Sequence, residues 1–286
     1  MRVRAGVPSG AEPARTNGHG RSAARAALRR LPPLMAVLML LLGWEALVRL
    51  RGIPHYILPA PSLVARTLVE RWDSLLPSLW FTLRLTLLAL AAAVAGGVLL
   101  ASAFVLSRRV ERALYPLAVV LQVTPIVAIA PLILIYVEST TAALLICAWI
   151  VAFFPILANT ATGLRSADPQ LGELFTLYGA TRWQRLRWLL VPSALPYFLS
   201  GLRVAGGLSL IGAVVAEFTA GTAGRETGLA SRILEASFRT EIPLMFAALA
   251  LVSLLGVAIF LATSWLSRRL LGGWHASEVG EPDETG

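Results

Sequence analysis

No lysine occurs anywhere in the chain; all 25 of its basic residues are arginine. A Walker A phosphate loop needs a lysine to reach the terminal phosphates, so an ordinary P-loop ATPase is excluded. Schiff-base catalysis is excluded for the same reason. The one cysteine, Cys147, lies in an apolar run and leaves no intrachain disulfide to form. His19, His55 and His275 stand far apart, without metal-ligand spacing to one another or to Cys147, so neither a metal nor a cofactor is expected. Charge is scarce: 14% of residues are charged and 57% hydrophobic, far from the balance of a soluble domain. The net charge of +9 does not read as a nucleic-acid surface, because the arginines are scattered between apolar runs and not gathered on one face.

What the chain has instead is length of apolar sequence. After a polar, arginine-rich tail over 1–31, too poor in apolar residues to build a core, an apolar segment runs from Pro33 to about Leu50. No small-residue cleavage site follows it, so it reads as an uncleaved span. Five further segments approach or exceed the ~20 residues that cross hydrocarbon: Leu83–Leu106, Ala113–Val137, Thr141–Gly163, Pro196–Phe218 and Pro243–Leu266. Backbone groups in lipid must be satisfied within the segment, and no alternation suited to a barrel is present, so these are helices. The expectation is an all-α polytopic membrane protein of six transmembrane helices. Its organisation is a tail over 1–31, a first helix and external loop over 32–78, a five-helix unit over 79–267 with a loop at 165–195, and a polar tail over 268–286.

Arginine placement orients it. With the N-terminus inside, sixteen arginines fall in internal segments and six in external ones. That supports an N-in, C-in topology in a bacterial plasma membrane and puts the 165–195 loop in the cytoplasm. The external stretch from Gly221 to Ile242 carries Leu229, Ile233, Leu234 and Phe238 as an amphipathic stripe, which fits a short helix lying at the outer interface or dipping into it. The spacing of Gly224 and Gly228 does not make a lipid-buried dimer face, because Arg225 and Glu226 stand between them.

The cytoplasmic loop from Asp168 to Pro196 is the one amphipathic interruption. Asp168 is placed to cap a helix with Pro169 at its first position. Leu171, Leu174, Phe175 and Tyr178 follow at i, i+3, i+4 and i+7, one apolar stripe. Gly179 is placed to end that helix in the left-handed region. Thr181 and Gln184 fit a capping box opening a second helix, which carries Arg182, Arg185 and Arg187 and is expected to stop near Pro192.

Glu173, Gly179, Leu189, Val191 and Pro192 stand at the spacing of the EAA loop of ABC-importer permeases: E-A-A, three residues, G, nine residues, an aliphatic residue, one residue, L-P. The chain resembles that family from about Leu58 to Arg269, and within it the sulfonate, taurine, nitrate and pyrimidine- or riboflavin-type subgroup. Leu174 and Phe175 replace the two alanines, and Val191 replaces leucine. The resemblance implies a type I importer permease fold without catalytic activity of its own. It implies that Glu173, Leu174, Phe175, Tyr178, Gly179, Ala180 and Pro192 form a coupling segment that docks on ABC ATPase subunits, two per transporter. It also implies a second permease copy, a homodimer, and an extracytoplasmic substrate-binding protein. The implied substrate is a small organic anion or heterocycle. The larger Leu174–Phe175 pair implies a differently shaped cleft in the ATPase.

Gln122, Thr124, Pro125 and Pro131 interrupt the third apolar segment. Breaks at mid-membrane survive where protein or a cavity satisfies the backbone. Gln122, Thr124 and Pro125 therefore either line the substrate path or bond between packed spans. Arg203, in the fifth segment, is a ligand for an anionic substrate, a snorkelling residue or half of a structural ion pair; it lies fourteen residues from Glu217, about 21 Å along a helix, too far to pair with it. Gly96, Gly97, Gly201, Gly206, Gly207 and Gly212 read as close-packing positions. An ion-gradient-driven transporter or channel is the alternative; it would need acidic relay residues at mid-membrane, and none is well placed.

Overall fold

The computed structural model describes residues 35–221 and 227–271. The tail over 1–31, the part of the second tail beyond 271, and Gly224, Arg225 and Glu226 lie outside the described residues; residues 268–271, expected in that tail, continue the last helix. Every regular element among the described residues is helical. Helix α1 covers 35–50; α2 is Pro61–Glu70, α3 Trp72–Leu106, α4 Arg108–Val123, α5 Ile126–Tyr136, α6 Thr140–Arg165 and α7 Pro169–Leu177. One turn, α8 (Arg182–Arg185), leads through a π turn (Leu186–Leu190) into α9 (Val191–Ala220), followed by α10 (Leu229–Phe238) and α11 (Ile242–Leu271).

Four helical runs are long and apolar enough to cross a membrane: α3, α6, the run Arg182–Ala220 and α11. The third apolar segment is not straight. Its halves α4 and α5 meet at 102°. Thr124 is extended, as a residue before proline prefers, and Pro125 has φ −62°. The turn falls at Thr124 and Pro125, as the sequence indicated, whereas Pro131, also named for the interruption, lies inside α5.

Two boundaries differ from the sequence expectation. Helix α3 starts at Trp72, before Leu83, because Leu75 is buried against Leu229, Ala247 and Leu251, and this packing draws the mixed stretch into the helix. The second loop helix does not stop near Pro192. The π turn precedes this proline, which lies in the first turn of α9, and the helix carries on through it.

The spans pack through glycine, where backbones approach closely. A Cβ on Gly163 would lie 2.8 Å from Ala194 Cα; on Gly201, 2.8 Å from Asn159 Cβ; on Gly212, 2.9 Å from Ala148 Cα. These three line the contact of α6 with α9. Gly97 seats α3 on Ile156 of α6, and Gly206 faces Ile259 of α11. Gly96 makes only an ordinary contact with Phe153, and Gly207 has no atom near its Cβ position. Gly207 therefore is not a packing position within this chain. It lies on the same face of α9 as Val204 and Ile211, both more than half exposed.

Candidate coupling segment and translocation cavity

Helix α7 is built by local rules. Asp168 accepts from the Gln170 N–H at 2.8 Å, and Pro169 occupies the first position. At the other end Gly179 has φ +67°. The Gly179 N–H donates to Thr176 O and the Ala180 N–H to Phe175 O, the two bonds of a Schellman ending, which needs the left-handed residue that glycine supplies. Two residues later the capping box is complete: the Thr181 N–H donates to Gln184 Oε1 (2.8 Å) and the Gln184 N–H to Thr181 Oγ1 (3.3 Å). The result is a stiff two-helix hairpin with a fixed corner.

The hairpin's apolar face has no partner among the described residues. Leu177 is 84% exposed and Tyr178 83%; Leu174 and Glu173 are also exposed, and Phe175 is half-buried. Leu174, Phe175, Tyr178, Gly179 and Ala180 line one concavity of about 430 Å³ together with Trp188. The sequence reading missed Trp188, and also Trp183, 65% exposed; two surface tryptophans in one short arginine-rich stretch were the available signal. It also missed Gly172, where a Cβ would come 2.9 Å from an Arg185 guanidinium nitrogen. Pro192 does not line this concavity; it lies one helical turn beyond Trp188, in the first turn of α9.

At the α4–α5 corner a second cavity, about 310 Å³, is lined by Gln122, Thr124 and Pro125 together with Pro155 of α6 and Leu208 of α9. The Thr124 hydroxyl is committed: it donates to Val120 O at 2.7 Å, closing the end of α4. The Gln122 carboxamide has no hydrogen-bond partner among the described residues and is exposed. Arg203 does not line this cavity. It is half-buried, with an Nε that finds no partner among the described residues.

Two carboxylates of membrane helices do a different task. Helices α2 and α10 lack side-chain N-caps of their own. Glu45 of α1 accepts from Ser62 N (3.0 Å) and Ser62 Oγ (2.8 Å) in the first turn of α2. Glu217 of α9, 1% exposed, accepts from Ala230 N (2.9 Å) and from Thr82 Oγ1 (2.8 Å), and Thr82 Oγ1 in turn accepts from Leu229 N (2.9 Å). Orphan donors at both helix starts are thus satisfied from outside the helix. A Cβ on Gly228 would overlap the Glu217 carboxyl group. Arg84, exposed, shares a cavity with Trp80 and Arg232 beside this junction.

Comparison with known proteins identifies the family. Residues 93–272 match the model of the family described as binding-protein-dependent transport system inner membrane component. The chain is 37% identical over 245 residues to the formylaminopyrimidine transport permease of Halalkalibacterium halodurans, covering 84% of this chain and 95% of that one. It is 36% identical over 250 residues to the riboflavin transport system permease of Chloroflexus aurantiacus, covering 85% and 90%. Among solved structures, an inward-facing methionine ABC transporter superposes with a TM-score of 0.58 at 18% identity, over 68% of this chain and 95% of that one, which shows a shared fold. The chain belongs to the family of binding-protein-dependent transport system inner-membrane components, the multi-pass plasma-membrane permeases of ABC transporters.

Proposed function

We propose that this chain is the pore-forming subunit of an ATP-driven importer and takes its drive from a separate ATPase through α7. The unpartnered apolar face from Leu174 to Tyr178 carries this reading. A short amphipathic helix, capped at both ends and held out from the spans, is built to lie in a groove of another protein. Two ATPase subunits would each receive one such helix, with Glu173, Phe175, Gly179 and Ala180 at the contact. ATP hydrolysis then belongs to the partner, and the permease converts closure of the ATPases into rocking of its own helices. Six spans with both termini inside would place α7 in the cytoplasm.

The path itself would form between two copies of the chain. The open face of α9 at Val204, Gly207 and Ile211 and the exposed apolar residues of the α4–α5 corner, Val123 and Val127 among them, suit that interface. Gln122 would present its carboxamide to the solute beside Pro125. Arg203 remains a candidate for an anionic solute. The external layer of α2 and α10 would receive a substrate-binding protein. The relatives are named for a formylaminopyrimidine and for riboflavin, and their likeness favours a small nitrogen heterocycle within the class of small organic anions and heterocycles.

The test is assembly and transport. Gly179→Asp and Glu173→Lys are expected to leave the protein in the membrane and to abolish both copurification of its ATPase and ATP-dependent uptake in proteoliposomes. Normal uptake in both variants, or uptake by the wild type with no ATPase present, would overturn the proposal.

A further inference from the structure

A cavity of about 490 Å³ lies where α3, α6 and the π turn come together at the end of the membrane spans. Four arginines line it, Arg108, Arg165, Arg182 and Arg185, alongside apolar side chains at the ends of two spans, Leu106 and Leu164. One carboxylate, Asp168, lines the cavity too and keeps its charge while accepting from the Gln170 N–H at the head of α7; Glu111 pairs with Arg165, so cations still outnumber carboxylates in the lining. Arg108 and Arg182 have no ion pair among the described residues. An adjoining cavity of about 500 Å³ shares Arg108 and Arg165 and adds Arg112. Guanidinium groups converging on a space beside apolar span ends suit a ligand with a phosphate at one end and hydrocarbon at the other.

We propose that this cavity holds the phosphate of an anionic phospholipid of the inner leaflet, with its glycerol–ester region against Leu106 and Leu164. The bound lipid would fasten the root of the α7–α8 hairpin to the ends of α3 and α6. An acidic patch on a partner protein fits less well. The wall is made of span ends, Leu106 closing α3 and Leu164 beside the last residue of α6, which places it at the depth of lipid headgroups. No residue of this cavity lines the concavity around Tyr178 and Trp188, so one hairpin offers two separate faces. The proposal shares with the preceding one only the placement of α7 on the inner side, and it needs no ATPase to be tested.

The full-length chain is reconstituted in nanodiscs of phosphatidylcholine doped with phosphatidylglycerol, and native mass spectrometry reads the lipid it retains. Wild type is expected to retain phosphatidylglycerol in preference to phosphatidylcholine. Arg108→Gln and Arg182→Gln should each lower that retention about fivefold, the worth of one arginine near an anionic surface. The corresponding Lys variants, which keep the charge and lose the bidentate fork, should fall between and serve where a Gln variant does not fold. Arg71→Gln, on the first external helical layer, should match wild type. Equal retention of the two lipids by wild type, or unchanged phosphatidylglycerol in the Gln and Lys variants alike, overturns the proposal. So does full displacement of the lipid by excess inorganic phosphate, which would make this a site for a soluble anion.

Discussion

Replacing Glu217 by alanine removes the acceptor for two buried donors at once, the Thr82 hydroxyl and the Ala230 N–H. A buried donor left without a partner costs about 1–3 kcal/mol in a soluble protein. Hydrogen bonds between membrane helices measure less, about 0.6 kcal/mol on average and about 1.7 at most. Two bonds near a helix start, at the edge of the apolar region, therefore amount to about 2 kcal/mol together. This loss concerns the seating of α10 and not the whole fold, because α6 and α9 remain packed through Gly163, Gly201 and Gly212. Amide hydrogen exchange reads it directly. Local opening that is easier by about 2 kcal/mol speeds exchange about 30-fold, and the acceleration should be confined to Leu229–Phe238 and the adjoining turn. Glu217→Gln keeps one acceptor oxygen but turns an amide N–H toward one of the two donors, so it should fall midway. Gly228→Ala changes no polar group yet forces a methyl onto the same carboxyl group; it should speed the same amides. If α10 exchanges at the wild-type rate in Glu217→Ala, or if α6 accelerates as much as α10, the carboxyl group is not what seats this helix.

Gly201→Val should lower the melting temperature of the detergent-solubilised protein markedly, since a Cβ already meets Asn159 Cβ at 2.8 Å and Pro155 O at 2.9 Å and overpacking costs about 1–3 kcal/mol or more; Gly207→Val, at an open position, should melt as wild type in the separated single chain. Thr181→Ala removes the capping box and should cost about 1 kcal/mol, seen as faster exchange over Arg182–Leu186 with α7 unaffected. Gln122→Leu should weaken apparent substrate affinity in reconstituted uptake, and unchanged affinity and rate would take Gln122 out of the path.

Features set by neighbouring residues were legible in the sequence. The caps at Asp168 and Thr181 and the glycine ending at Gly179 each involve groups within five residues, and each formed as read. So did the break before Pro125, which follows from proline's own geometry. What was hidden depends on distant partners. Nothing local says that Glu45 closes α2 or that Glu217 and Thr82 close α10, since these contacts join residues 17, 13 and 147 apart. The start of α3 was missed because Leu75 finds its burial against α10 and α11. Pro192 was read as a stop because a π turn leaves no signature in residue type. The basic cavity was invisible for the same reason as the caps: Arg108, Arg165 and Arg182 are brought together by the ends of three helices.

The absence of a joint at Pro192 has a mechanical consequence. From Arg182 to Ala220 the chain forms one helical run of 39 residues, about 58 Å along its path, which passes through the π turn and carries Pro196 inside it. Were its Arg182 tip displaced sideways with the middle pinned by Gly201, the Ala220 tip would swing the opposite way, as a seesaw does. That far tip is tied through Glu217 to Thr82 and Ala230. A push delivered at one end would therefore arrive at the other as a pull on α10.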